Sequence, residues 1–247
     1  MSLKATYFGS SSWFLEFGQF SILVDPWLKG NLSFSPGPWL IEGRLKKELK
    51  VPNKINLILL TQGLADHAHP QSLDLLPRSI PVIGSFSAAK LVTNMGFQSV
   101  YGLKPGEMKE IGGLTIQATA GALVPKLENG YMLFHEFGSL YLEPHGFLDA
   151  NLPTQHLDAV ITPVVNIKLP LFGSFIQGKE VLPNLLKLFN PLTVLASTTG
   201  GDATFTGFLN RFMSLEGSPE QTKEMYGKEI VFINPDLGSS YKLKTYK

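Results

Sequence analysis

Short apolar-rich runs, interrupted by Thr6, Glu16 and Ser21, occupy residues 5–8, 12–17 and 20–24, with Gly18-Gln19 between the last two. Runs of this length, rich in aromatic and aliphatic residues, belong to strands, and a short glycine-containing connection suits a hairpin, so the pattern predicts an antiparallel β start. Asp25-Pro26-Trp27-Leu28 closes the third strand, because proline has no amide for the ladder. Residues 29–43, rich in Gly, Pro, Ser and aromatics, are expected to form a long ordered loop.

Farther along, the apolar runs become more nearly continuous. Residues 57–60, 158–162 and 193–196 read as buried strands. Residues 87–95 carry Ala88, Leu91, Val92 and Met95 at helical spacing, and 178–189 reads as a second helix. A helix is expected to open near Pro70, where proline suits the first turn, and another to cover 205–213. Short strands are expected at 81–84, 100–101, 108–111, 114–118, 131–137, 140–142, 230–233 and 241–244. Hairpins first and strand–loop–helix units later indicate an α/β chain with mixed sheets.

Composition narrows the function. The chain has 247 residues, enough for one large domain or two small ones, and its 44% hydrophobic content supplies a sizeable core. A net charge of +1 gives no field to attract nucleic acid or an acidic membrane, so no nucleic-acid partner is expected. The absence of cysteine excludes disulfides, thiolate ligands and cysteine nucleophiles, and fits a reducing compartment. The first residues run into a strand with no signal-peptide core, and apolar runs such as 55–60 fall far short of the ~20 residues of a membrane span. The expected location is cytoplasmic.

The chemistry gathers after strand 57–60, in Thr61-Gln62-Gly63-Leu64-Ala65-Asp66-His67. A buried strand running into a polar loop that ends in Asp-His resembles the metallo-β-lactamase superfamily, whose loop reads T-H-x-H-x-D-H. Tyr7-Phe8-Gly9-Ser10-Ser11-Ser12-Trp13-Phe14-Leu15-Glu16 resembles the opening "W-L-G-H-S-S-F-L-I-E" of its ascorbate-6-phosphate lactonase-like branch. Ile22-Leu23-Val24-Asp25-Pro26-Trp27-Leu28 resembles "I-L-I-D-P-W-L", Glu128-Asn129-Gly130-Tyr131 resembles "E-N-G-Y", and 158–164 resembles "D-x-x-x-x-P-V". The resemblance covers nearly the whole chain. It implies one domain over 1–247, a four-layer αββα sandwich with two mixed β-sheets, and a metal-dependent hydrolase.

The departures from that pattern fall on the ligands. Gln62 and Leu64 stand where the first two histidines belong, and Ser10 stands where the branch often has histidine. Gly121-Ala122 lies where the third histidine is expected, Glu143-Pro144-His145-Gly146 replaces the "G-D-T-G" turn, and Ser197-Thr198-Thr199 replaces the last histidine. Asp66 and His67 alone survive, and catalytic zinc sites normally use three protein ligands plus water. One reading is a rebuilt site in which Asp66, His67, Glu143 and His145 hold one divalent ion (zinc, manganese or iron). Asp25 then orients the ligands, Asp66 and Asp25 carry catalysis, and Gln62, Thr198 and Thr199 bind substrate. The other reading leaves the site metal-free, with Asp66 capping the next helix and both imidazoles hydrogen-bonded in a polar cleft. The cluster Thr198, Thr199, Asp202 then simply flanks a turn at Gly200-Gly201.

Other polar residues carry less. His69 is expected as a helix cap or supporting donor, and His135 and His156 belong to no site. Ser10, Ser11 and Ser12 enter a strand without a G-x-S-x-G elbow and make a poor nucleophile. The apolar connections 32–41 and 169–176 either pack on each other over the core or wall a pocket for a lipophilic ligand or a homo-oligomer contact. The first function expected is a divergent hydrolase acting on an ester-type or phosphoryl small molecule. The alternative is a non-catalytic relative that uses the cleft to bind a ligand or protein.

Overall fold

The computed structural model describes residues 2–34, 36–123, 127–169, 173–199 and 202–246. Among them, two seven-stranded sheets face each other. The first runs Ser240–Lys242, Leu3–Gly9, Ser12–Phe17, Phe20–Val24, Leu57–Leu60, Val82–Gly84, Val100–Gly102. It is antiparallel as far as Phe20–Val24 and parallel beyond it. The second runs Val231–Ile233, Thr193–Ser197, Ala159–Pro163, Gly138–Leu142, Leu127–His135, Leu114–Leu123, Met108–Ile111. Its first four strands are parallel and the rest antiparallel.

The layering explains the apolar runs. Leu57 and Leu59 point into the inter-sheet core with Leu15, Ile116, Leu133 and Leu195. Ile58 and Leu60 point the other way, onto Leu73, Ala88 and Val92 of helices Pro70–Leu73 and Phe86–Asn94. A strand covered on both faces has no solvent side to alternate with. Beyond the second sheet, helix Gly178–Phe189 buries Leu182, Leu185 and Phe189 against Val160 and Val194, and Tyr226 of helix Pro219–Tyr226 joins Leu182 there. The result is helix, sheet, sheet, helix. No helix among the described residues is long and apolar enough to cross a membrane.

Two three-stranded sheets stand beside this frame: Gly173–Gln177, Asn166–Leu169, Ser214–Glu216, and Ala203–Thr206, Glu42–Leu45, Asn31–Ser33. They correct two expectations. The stretch 29–43 holds strands at Asn31–Ser33 and Glu42–Leu45 rather than a pure loop. The helix expected over 205–213 is a strand followed by a short 3-10 turn, Leu209–Arg211. Phe205 pairs with Gly43 in antiparallel register, and Gly207, at φ 109°, breaks any helix there. Strand Leu114–Leu123 also runs past its expected end, so Gly121-Ala122 lies inside it, where the register shifts between Ala120 and Leu123.

Candidate functional site

The parallel strands of both sheets deliver their carboxyl ends to one region, where α/β sheets usually place their ligands. Phe20–Val24 ends at Asp25, Leu57–Leu60 at the 61–67 loop, Gly138–Leu142 at the 143–147 turn, and Thr193–Ser197 at Thr198.

Asp25 sits at φ 41°, a conformation an aspartate adopts at some cost. Three contacts hold it there. Its Oδ1 accepts from the Thr61 amide at 2.8 Å, and its Oδ2 accepts from the Thr61 hydroxyl at 2.6 Å and lies 2.8 Å from His67 Nδ1. A carboxylate on the Nδ1 side places the neutral imidazole's proton on Nδ1 and frees Nε2. That nitrogen faces Asp66 Oδ2 at 3.3 Å. Burial lowers the His67 pKa, but Asp66 and Asp25 outweigh it and hold the group well above its ordinary value. Burial likewise raises Asp66, yet His67 and His145 hold its carboxyl below the usual range. The loop is seated by Gly63, whose absent side chain would stand 2.7 Å from the Ser87 backbone of helix Phe86–Asn94.

A second imidazole comes from the other sheet. His145 packs on His67 with ring centroids 5.0 Å apart, and its Nδ1 lies 2.8 Å from Oε2 of fully buried Glu128. The pair meets at ion-pair distance without the alignment of a hydrogen bond. Burial lowers the His145 pKa, but Glu128, with Glu143, outweighs it and holds the group above its ordinary value. Glu128 is brought here by its neighbour, since the Asn129 amide donates across the sandwich to the Thr61 carbonyl at 3.1 Å. Each histidine therefore has a buried carboxylate at Nδ1: Asp25 for His67, Glu128 for His145.

Asp66, His67 and His145 can each aim a donor atom at a common point, and so can Glu128, Glu143 and His145. The four residues expected to form one ligand set thus divide into two overlapping groups that share His145. Glu143 is diverted because its Oε2 folds back to accept from the amides of His145 at 3.1 Å and Phe147 at 2.6 Å. Burial pushes its carboxyl up to about 7. Glu128 was not among the residues expected in the site, although the Glu128-Asn129-Gly130-Tyr131 resemblance marks it in the sequence. Asp66 does not cap the next helix, whose N-cap is His69. His69 bonds instead to the Ser72 hydroxyl at 3.0 Å and the Asn31 carbonyl at 3.2 Å. His135 packs beside Phe17 and Phe137, and His156 beside Tyr246, away from this cluster.

The cluster forms the floor of a cavity of about 860 Å³. Gln62, Thr198 and Thr199 also line it, and both the Gln62 Nε2 and the Thr198 hydroxyl lack a hydrogen-bond partner among the described residues. Leu64 lines it too, an aliphatic group that offers no ligand atom. Asp202 is engaged, accepting from the Ser10 amide at 2.7 Å and from the Tyr7 hydroxyl at 2.5 Å; Gly200-Gly201 lies outside the described residues. Ser10 does occupy a left-handed turn, φ 53°, but no imidazole bonds the hydroxyls of Ser10, Ser11 or Ser12 among the described residues. The walls come from the small sheets and their connections: Phe34, Ile41, Ile167, Phe175, Phe205 and Leu209. Segments 32–41 and 169–176 thus wall a cavity, with 35 and 170–172 outside the described residues. Trp39 stands out from this region at 62% exposure, whereas Trp13 and Trp27 are buried.

The donor set passes the chemical test for a divalent cation. Asp66 Oδ1, both oxygens of Glu128 and Glu143 Oε1 are buried carboxylate atoms with no hydrogen-bond partner among the described residues. Unpaired buried carboxylates cost several kcal/mol each unless a cation or a proton joins them, on the order of the penalty for any buried ion. Carboxylate oxygens with imidazole nitrogens are the ligand types of zinc, manganese and iron sites.

Comparison with known proteins bears on the family and the fold. Residues 4–197 match the family model of the beta-lactamase superfamily domain. A UPF0173 metal-dependent hydrolase of Methanopyrus kandleri is 22% identical, the match covering 97% of this chain and 100% of the relative. Another, from Paracoccus denitrificans, is 28% identical over 57% of this chain, which spans 62% of that relative's length. Among solved structures, the metallo-beta-lactamase fold protein YhfI of Bacillus subtilis superposes with a TM-score of 0.63 at 10% identity, covering 97% of this chain and 98% of its own.

Proposed function

The chain belongs to the beta-lactamase superfamily, and on that premise we propose that it is a metal-dependent hydrolase holding one divalent ion among Asp66, His67 and His145. The observation that carries this reading is the pairing of two imidazoles, each backed at Nδ1 by a buried carboxylate, around Asp66 at a cavity floor. Carboxylate–histidine pairs of this kind orient metal-binding imidazoles and raise their basicity.

A divalent ion would supply Lewis acidity towards a carbonyl or phosphoryl oxygen and make bound water more acidic. The chain's own residues supply the rest. Asp25 keeps the His67 proton on Nδ1 and fixes the ring. Glu128, on the strand beside the one that leads to His145, sets a carboxylate at ion-pair distance behind that imidazole. Glu143 ties down the 143–147 turn through two amides, which keeps His145 over the floor. Gln62 Nε2 and the Thr198 hydroxyl are free to donate to a substrate oxygen. The substrate is a lipophilic small molecule with an ester-type or phosphoryl group, matched by the apolar walls.

A second reading, a non-catalytic relative that binds a ligand in the cavity, is favoured by Leu64, which removes a ligand position outright. Elemental mass spectrometry of protein prepared without a metal-affinity tag separates the two. About one ion per chain, lost in Asp66→Asn and His145→Ala, is the expected result. Protein that stays metal-free after incubation with zinc, manganese or iron would leave the second reading standing.

A further inference from the structure

The cavity is divided by chemistry. Its hydrogen-bonding side chains come mainly from the strand ends of the large sheets: Ser10, Gln62, Asp66, His145, Thr198 and Asp202. The small sheets and their connections contribute mostly aliphatic and aromatic groups, from Leu32 on one side to Leu215 on the other. A volume near 860 Å³ lies towards the top of the range that takes a drug-sized ligand. Such a space fits a molecule with one polar end and a long apolar body, and wastes the affinity of one that is polar throughout.

The charges at the floor select the kind of polar end. No lysine or arginine lines the cavity among the described residues; the charged groups that do are Asp66 and Asp202 and the imidazoles of His67 and His145. Phosphate sites are built from Arg, Lys or helix amides, and a phosphate here meets two carboxylates beside imidazoles already paired with the buried acids Asp25 and Glu128. An uncharged carbonyl meets hydrogen-bond donors, since Gln62 Nε2 and the Thr198 hydroxyl have no other partner among the described residues.

We propose that the cavity takes an uncharged long-chain acyl ester or lactone, its carbonyl end at Gln62 and Thr198 and its chain along the apolar walls. This rests on the metal-dependent hydrolase reading for the reaction, but the binding itself does not need the ion. Chain-length recognition can therefore be measured apart from catalysis.

The experiment is calorimetric titration of chelator-treated protein with methyl ketones of five to ten carbons, and with alkyl phosphates of the same lengths. The ketones carry the carbonyl without a cleavable bond. Affinity should rise about fourfold for each added methylene until the chain fills the cavity. Each phosphate should bind at least tenfold more weakly than the ketone of its length. Leu215→Asp, at a wall position that is 59% exposed and tolerant of change, should weaken the longest ketone at least tenfold and leave the shortest unaffected. Affinity independent of chain length, or phosphates binding as well as ketones, would overturn the proposal. Chain-dependent ketone binding in a protein that cleaves no ester after metal loading would remove the hydrolase reading and keep this one. Cleavage of acetyl esters without chain-length preference would do the reverse.

Discussion

Glu128 Oε2 stands 2.8 Å from His145 Nδ1, with both side chains buried between the sheets. Replacing Glu128 by Gln keeps the shape and removes the charge behind the imidazole. Loss of such a supporting carboxylate typically weakens metal binding about 10–100-fold. A chelator-competition titration should show a drop of that size in Glu128→Gln, with the far-ultraviolet circular dichroism unchanged. Affinity equal to the parent's would mean that Glu128 does not act through His145.

The metal-free protein should lose stability as the pH rises. Glu143 is held at about 7 when folded, against an ordinary 4.5, so between those values the folded chain carries a proton that the unfolded chain has lost. The slope of stability with pH follows protons bound unfolded minus folded, which is negative here. Glu143 alone accounts for a loss of about 3 kcal/mol from end to end of that window. His67 and His145, both raised above 6.5, contribute with the same sign and extend the fall to pH above 6.5. Asp66 is lowered and acts in the opposite sense, but only at acid pH below its ordinary 3.8. Urea titrations from pH 5 to 8 should show the decline without metal, and a shallower one with zinc or manganese present, because the ion replaces the protons. A flat profile in the metal-free protein would contradict the burial of Glu143 as an acid.

Gly63→Ala tests the seating of the loop. The new methyl would stand 2.7 Å from the Ser87 carbonyl group, so the loop or helix Phe86–Asn94 must shift. A destabilisation of about 1–3 kcal/mol is expected from this overpacking. Metal affinity should fall as well, because Asp66 and His67 ride on the same loop. Normal affinity in a destabilised variant would show that the loop yields elsewhere.

Leu185→Ala provides the opposite control. Leu185 is buried in helix Gly178–Phe189 against the outer face of the second sheet. Its truncation should cost about 2–5 kcal/mol in denaturant unfolding. Ion stoichiometry below the transition should stay at the parent value, since the change lies behind the sheet rather than at its strand ends.

Much of the frame was legible because local pattern and tertiary burial agree. The run Leu57–Leu60 is apolar throughout and is buried on both faces. Helix Gly178–Phe189 was legible from the spacing of Leu182, Leu185 and Phe189. Helix Pro219–Tyr226 went unread because Thr222 is its one buried residue, so it has no apolar period. Its start was nevertheless marked by Ser218, proline at the first turn and Gln221, whose amide donates to the Ser218 hydroxyl at 3.2 Å. At 205–213 the apolar spacing of Phe205, Leu209 and Phe212 imitates a helix, while the pairing of Phe205 with Gly43 is non-local.

The site divides in the same way. Asp66 and His67 adjoin each other in one loop, and a motif displays them. Glu128 and His145 come together only when strands Leu127–His135 and Gly138–Leu142 pair and the Asn129 amide anchors to Thr61. The folding back of Glu143 onto its own turn depends on backbone geometry that no residue pattern records.

The contrast between Trp39 and the other two tryptophans gives the protein an optical handle on its own apolar walls. Of the three indoles, Trp13 and Trp27 are 1% and 0% exposed, so a water-soluble quencher reaches Trp39 almost alone. Trp39 precedes Leu40 and Ile41, which line the cavity, and its carbonyl accepts from the Phe208 amide at 2.9 Å. Emission from this one residue therefore tracks movement of the wall when the space behind it fills, with no label added to the chain.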